Sequence, residues 1–335
     1  MGEFNFYPFE HFIKKLEFSV YATIEEKMGG VTGVHVMQIE EATDLIYQLI
    51  TSESGIAIGK IGTSEFNAIS FYRHRLAGRN EPYPDKIKKE ITVNAGLWHG
   101  ASESLDEAID AWAKSMIGAI GTFDAVVAWN PMYPQPEDMF FRQYATNIPR
   151  IVLRSLEPYY SPKKQYTLQM TKGPIAVVSP FAESIRNQWL NRAKLFPPNG
   201  LGGQMWLEEQ TLVAIQAPFG PAMTPQNLDL SWSPEIRAAG HKAGIQNLVD
   251  QVKASGARYA FVGMGALSIL LVAALKKEGI KAIHTGGGTQ IMFGVMGERW
   301  KYHNVISKLF NEHWIRPSEK ETPSSASSVE GACYW

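Results

Sequence analysis

The residues with chemical potential gather where short apolar runs end. The stretch IGKIGTSEF, residues 58–66, closes an apolar run at Gly62 and sets Thr63, Ser64 and Glu65 in a row behind Lys60. An amine, two hydroxyls and one carboxylate can hold the edge of a diphosphate, with Glu65 as a base on a hydroxyl or as the one carboxylate touching a cation. Three more turns have this character: Ser179-Pro180-Phe181-Ala182-Glu183-Ser184, Gly263-Met264-Gly265-Ala266, and Gly286-Gly287-Gly288 just after His284. Glycine admits a ligand close to the backbone, and a following helix presents unpaired N–H groups, so the pattern suits phosphate. Any one turn is equally what a tight βα connection or a helix cap needs, Ser64 included. The four together favour a ligand crevice. His284 adds a base or a phosphate ligand, although a histidine at a strand end is more often hydrogen-bonded in the packing.

These residues need a frame. Apolar runs at 55–61, 124–129, 150–153, 174–179, 211–216, 259–262 and 281–284 alternate with helical spacing at 40–51, 64–75, 104–120, 183–196, 234–255, 268–278 and 302–314. That rhythm predicts an α/β, Rossmann-like fold with a mostly parallel sheet flanked by helices. In such a sheet the residues just past each strand border the ligand crevice. Ser104 and Glu107 have capping-box spacing, and Gly279 stops the helix before it. Residues 1–316 read as a single domain, with 1–39 as an N-terminal helical extension and 200–233 as its least regular part. Residues 317–335 are small and polar, which predicts a flexible tail, here with an aromatic end at Tyr334-Trp335.

Composition narrows the classes. Hydrophobic residues are 45% and charged residues 19%, and 32 Lys plus Arg nearly cancel 33 Asp plus Glu, so no summed charge attracts nucleic acid. One cysteine, Cys333, excludes an intramolecular disulfide framework. No apolar run is long enough to span a bilayer and no secretory pattern opens the chain, which predicts a cytoplasmic protein. Eight scattered histidines include no HExxH, and no GxSxG, P-loop or kinase signature occurs. Gly263-x-Gly265 meets Ser268 where a dinucleotide fingerprint has its third glycine, which disfavours NAD and FAD. Trp98, Trp112, Trp189, Trp206 and Trp232 read as core, and Arg186 and Arg192 as a solvated helix face.

Lys60-Ile61-Gly62-Thr63-Ser64-Glu65 resembles the Arg-x-Gly-Asp-Gly-Glu motif of GT-D-type glycosyltransferases. Gly62 and Glu65 match, Lys60 keeps the charge, Thr63 stands where the first acid belongs and Ser64 where the second glycine does. The segment AFVGMGALSILLVAALKKEGIKAIHTGGGTQIMFGVMGERW and the closing VEGACYW are similar to uncharacterised relatives found near polysaccharide-synthesis genes. The resemblance implies a Rossmann-like domain that holds a nucleotide-sugar diphosphate, with a divalent cation (Mn or Mg), and transfers the sugar to a glycan acceptor. It points to Lys60, Gly62, Thr63, Ser64 and Glu65 for the donor. Two other readings stay open: an S-adenosylmethionine-dependent methyltransferase built on the Gly263-Met264-Gly265 turn, and a non-catalytic scaffold whose aromatic end docks on a partner or a second copy in a homo-oligomer; the competing view of that end is that it folds back over the crevice of its own chain, with Glu330 and the terminal carboxylate near the ligand.

Overall fold

The protein is described from a computed structural model, over residues 34–78, 81–129, 134–219 and 230–335. The extension expected over 1–39 lies outside these up to residue 33. Seven strands, β1 Ile56–Gly59, β2 Ala125–Val127, β3 Arg150–Ile151, β4 Ile175–Ser179, β5 Leu212–Gln216, β6 Tyr259–Val262 and β7 Lys281–His284, form one parallel sheet in the order β3-β2-β1-β7-β6-β4-β5. Ile58 of β1 pairs with Ala125 on one side and Ile283 on the other. Both faces are covered, so the strands read as continuous apolar runs. Alternate residues of β1 serve opposite cores: Ala57 packs with Ile69, Trp112 and Leu271, whereas Ile56 and Ile58 pack with Ile46, Ile185 and Phe293.

The covering helices are α1 Ile39–Thr51, α2 Thr63–Leu76, α3 Leu105–Ile120, α4 Pro134–Tyr144, α5 Ala182–Trp189, α6 His241–Ala254 and α7 Ser268–Lys277. The capping box forms: the Ser104 hydroxyl accepts from Glu107 N–H while the Glu107 carboxylate accepts from Ser104 N–H. After α7, Gly279 adopts φ 76°, Ile280 N–H reaches Leu275 O and Gly279 N–H reaches Lys276 O, a Schellman stop.

Several elements depart from the spacing. The run 234–255 is two helices, because Gly240 at φ 83° turns the chain where a Cβ would meet Glu103 Oε1 at 2.9 Å. The run 183–196 likewise breaks after Trp189. At 302–314 only Ile306–Leu309 forms a 3-10 turn, since the His303 ring accepts from Val305 and Ile306 N–H and competes with a helix. The helices at Pro134–Tyr144 and Asp85–Lys89 were not foreseen.

The tail expected to be flexible is packed. Glu321 and Val329 are fully buried, Trp335 Nε1 donates to Glu321 O at 2.8 Å, and Arg316 donates to Trp335 O at 2.7 Å. Low apolar content misled here because a few anchors suffice: the Trp335 ring meets Phe181 and Phe219 edge-on or tilted, about 6 Å away.

Candidate functional site

The chain leaves β1 toward β2 and β3 on one side and β4 toward β5 on the other. The carboxyl ends of β1, β7, β6 and β4 therefore open together, as a switch of strand direction requires. Above them lies a crevice of about 1440 Å³, larger than the roughly 300–1,000 Å³ of a common small-molecule pocket. All four glycine- or hydroxyl-rich turns border it.

The turn after β1 contributes Lys60, Gly62, Thr63, Ser64 and Glu65. Lys60 Nζ stands 4.2 Å from the centre of the Trp129 ring, and a Cβ on Gly286 would come within 3.0 Å of its Cε. Among the described residues its ammonium has no hydrogen-bond acceptor and no ion-pair partner, although Glu65 is close enough to act on it. Burial pushes the Lys60 pKa down, with Glu65 opposing and Arg299 adding to the fall. Glu65 moves the other way: burial raises its pKa, against the pull of Lys60 and its own N–H.

Gly62, not Ser64, is the N-cap of α2 and offers no side chain. The Glu65 carboxylate folds back over Gly62 and accepts from its own N–H, so it takes over part of the capping. The divalent cation implied by the resemblance finds a poor cage here. Its donors would be the Thr63 and Ser64 hydroxyls and one carboxylate turned onto the backbone, beside a part-buried ammonium that repels it. Such a set suits an anion.

The other turns divide. After β4, Ser179 and Phe181 border the crevice but Ser184 does not. The N–H groups of Glu183 and Ser184 and the Ser184 hydroxyl are all taken by the Glu321 carboxylate, so the helix terminus read as a phosphate seat already holds an anion of the chain. After β6, Gly263 and Gly265 line the crevice, while Ala266 is buried with its N–H on Ala95 O and its carbonyl on Trp112. Gly263 has to lack a side chain, because a Cβ would strike Thr289 Oγ1. After β7, Gly286 and Gly287 line the crevice and Gly288 faces Glu157 instead. His284 is buried, its Nδ1–H donates to Val262 O at 2.9 Å, and burial followed by Lys60 pushes its pKa down to about 3. It is a neutral imidazole and supplies no charge to phosphate.

The opposite wall is the C-terminal segment, which the sequence also allowed to fold back over the crevice, together with Arg299, which sequence reasoning missed. Arg299 donates to Tyr334 OH and to Glu330 Oε2, both at 3.1 Å, with its guanidinium 5.0 Å from the Tyr334 ring centre. On one flank Arg154 pairs with Glu157 at 2.9 Å. Trp129, just past β2, would have followed from the strand-end rule; Arg299 and Tyr334 come from segments with no strand to announce them. Trp98 and Trp232, read as core, are buried and yet line the crevice, their rings tilted at 31° with centres 5.0 Å apart. Gln290 donates Nε2 to Tyr334 O while its buried Oε1 has no partner. Trp112, Trp189 and Trp206 are core, and Arg186 and Arg192 are spent on backbone carbonyls. Comparison of the chain with protein-family models, curated proteins and solved structures finds no match.

Proposed function

We propose that the protein is a glycosyltransferase that takes a nucleotide-activated sugar into this crevice and moves the glycosyl group to a hydroxyl of a glycan. The observation that carries the reading is Lys60: a part-buried ammonium over the Trp129 ring, with no hydrogen-bond acceptor among the described residues, where four glycine- or hydroxyl-bearing turns meet. A partly desolvated ammonium without a hydrogen-bonded anion is costly in the free protein, and an anionic ligand relieves it. The donor diphosphate lies against Lys60, Gly286 and Gly287. Glu65, whose raised pKa fits it to accept a proton, acts as base on the acceptor hydroxyl. The paired Trp98 and Trp232 rings give one end of the crevice an aromatic wall for a planar base or a sugar face.

Calorimetry with UDP, GDP and their sugars tests this. One donor should bind saturably, and Glu65→Gln should lower turnover by about 10²-fold or more while the donor still binds. Silence across the donor panel, or displacement of a bound fluorescent nucleotide by S-adenosylhomocysteine, overturns the reading.

A further inference from the structure

Lys60 and Arg299 belong to segments far apart in sequence, yet Lys60 borders the glycine run after β7 directly and Arg299 does so through Tyr334. Lys60 lies against Gly286, whose added Cβ would be 3.6 Å from Nζ. The Arg299 partner Tyr334 lies against Gly287, whose added Cβ would be 2.9 Å from the Trp300 ring and 3.3 Å from the Tyr334 ring. The two adjacent glycines therefore form a floor without side chains of its own, with Lys60 against one and the ring that holds Arg299 against the other, the two cations near enough to act on each other. Of the five N–H donors of a guanidinium, Arg299 is seen to spend one on Tyr334 OH and one on Glu330. These two bonds fix the plane of the fork and leave donors for a ligand. The Glu330–Arg299 pair is itself held at a strained place: Glu330, Gly331 and Ala332 are successive residues with φ of 47°, 68° and 62°, a left-handed run that two residues with side chains adopt only under constraint.

Two like charges facing one space disfavour each other in the empty protein and suit a ligand carrying at least two negative charges. We infer that Lys60 and Arg299 form a two-sided clamp for a diphosphate over Gly286-Gly287, supplying from the chain the positive charge that a divalent cation would otherwise bring. The inference rests on the donor reading above and deepens it. It assigns Arg299 as a ligand-binding residue, Glu330 and Tyr334 as residues that position Arg299, and the chemical class of the ligand as a diphosphate held without metal.

The test is isothermal calorimetry on the full chain with two probes, inorganic pyrophosphate and the nucleoside diphosphate that binds best, each in EDTA and in excess Mg or Mn. The clamp predicts binding in EDTA with affinity within a few-fold of that with metal. Lys60→Met and Arg299→Gln should each weaken both probes about tenfold or more, and Lys60→Arg should retain most of the affinity. Tyr334→Phe should weaken both probes less than Arg299→Gln does. Binding that appears only with added metal overturns the clamp and leaves the nucleotide reading standing. Pyrophosphate that binds in EDTA while no nucleotide binds overturns the nucleotide reading and leaves the clamp. The EDTA comparison on the wild-type chain decides the matter even where a variant fails to fold.

Discussion

Glu65 shows how one side chain can serve two ends. Its carboxylate covers the open N-terminus of α2, where Gly62 has no cap to offer, and the same fold-back holds it beside Lys60 with a raised pKa. Capping the helix and the proposed role of proton acceptor both belong to the ionised carboxylate. His284 carries a sharper expectation. Its pKa is about 3 in the fold against about 6.5 in an unfolded chain, so between those values the unfolded state binds the extra proton. Stability contributed by the neutral ring is then complete above about pH 7 and is lost as pH falls toward 3, by an order of a few kcal/mol. His303, held down to about 4 by burial and by Arg154, adds in the same direction. Denaturant unfolding measured from pH 7 to 4 should show stability falling with acid. In His284→Asn, which keeps a donor toward Val262 O, the slope should be flatter by up to one proton.

At the scale of elements, glycines with the same backbone sign do different work. Gly279 ends α7 at φ 76° with open space around its missing Cβ, so Gly279→Ala should cost only the left-handed backbone, about 1 kcal/mol, as a small drop in melting temperature. Gly265 has φ 72° too, but its Cβ would strike Ala95 O at the crevice edge. Gly265→Ala should therefore cost several times more and disturb ligand binding, and thermal melts of the two variants measure the difference. The terminus of α5 makes the related point that a good anion seat is not always a ligand site. Its amides are satisfied by Glu321, from a segment 137 residues away. The Ser179-to-Ser184 turn thus works at both ends, with Ser179 and Phe181 toward the crevice and Ser184 toward the tail.

For the whole molecule, the carboxyl-terminal segment is a wall of the site. Tyr334, Trp335 and Glu330 border the crevice, and Trp335 packs on Phe181 from the turn after β4. Removing residues 329–335 takes both partners from Arg299 and opens the aromatic cluster. Affinity for a nucleoside diphosphate should then fall about tenfold, together with a melting temperature lower by several degrees. Calorimetry and a melt on the same preparation check both. Unchanged affinity would return the segment to a purely structural role. This packing also removes the reason for reading the aromatic end as free to dock on a partner.

Much of this was legible beforehand. Apolar runs punctuated by Gly, Pro and hydroxyls specified the seven strands and their parallel pairing, because strands covered on both faces must be apolar at every position. Parallel strands put all their carboxyl ends on one edge, so the four turns could be gathered in advance without knowing strand order. Helix limits were less legible where a side chain competed locally, as His303 does, or where one glycine broke a periodic run, as Gly240 does. The composition of 317–335 spoke for flexibility, since it does not record what a sparse anchor such as Trp335 will meet. Sequence by itself determined the α/β frame and the crevice edge with Lys60 and Glu65 upon it, because these depend on local periodicity and on the rule for parallel sheets. Only tertiary structure decided that Glu321 fills the seat on α5, that His284 is neutral, and that Arg299 faces Lys60 across two glycines. Those outcomes depend on burial and on contacts between segments hundreds of residues apart, which no local pattern encodes.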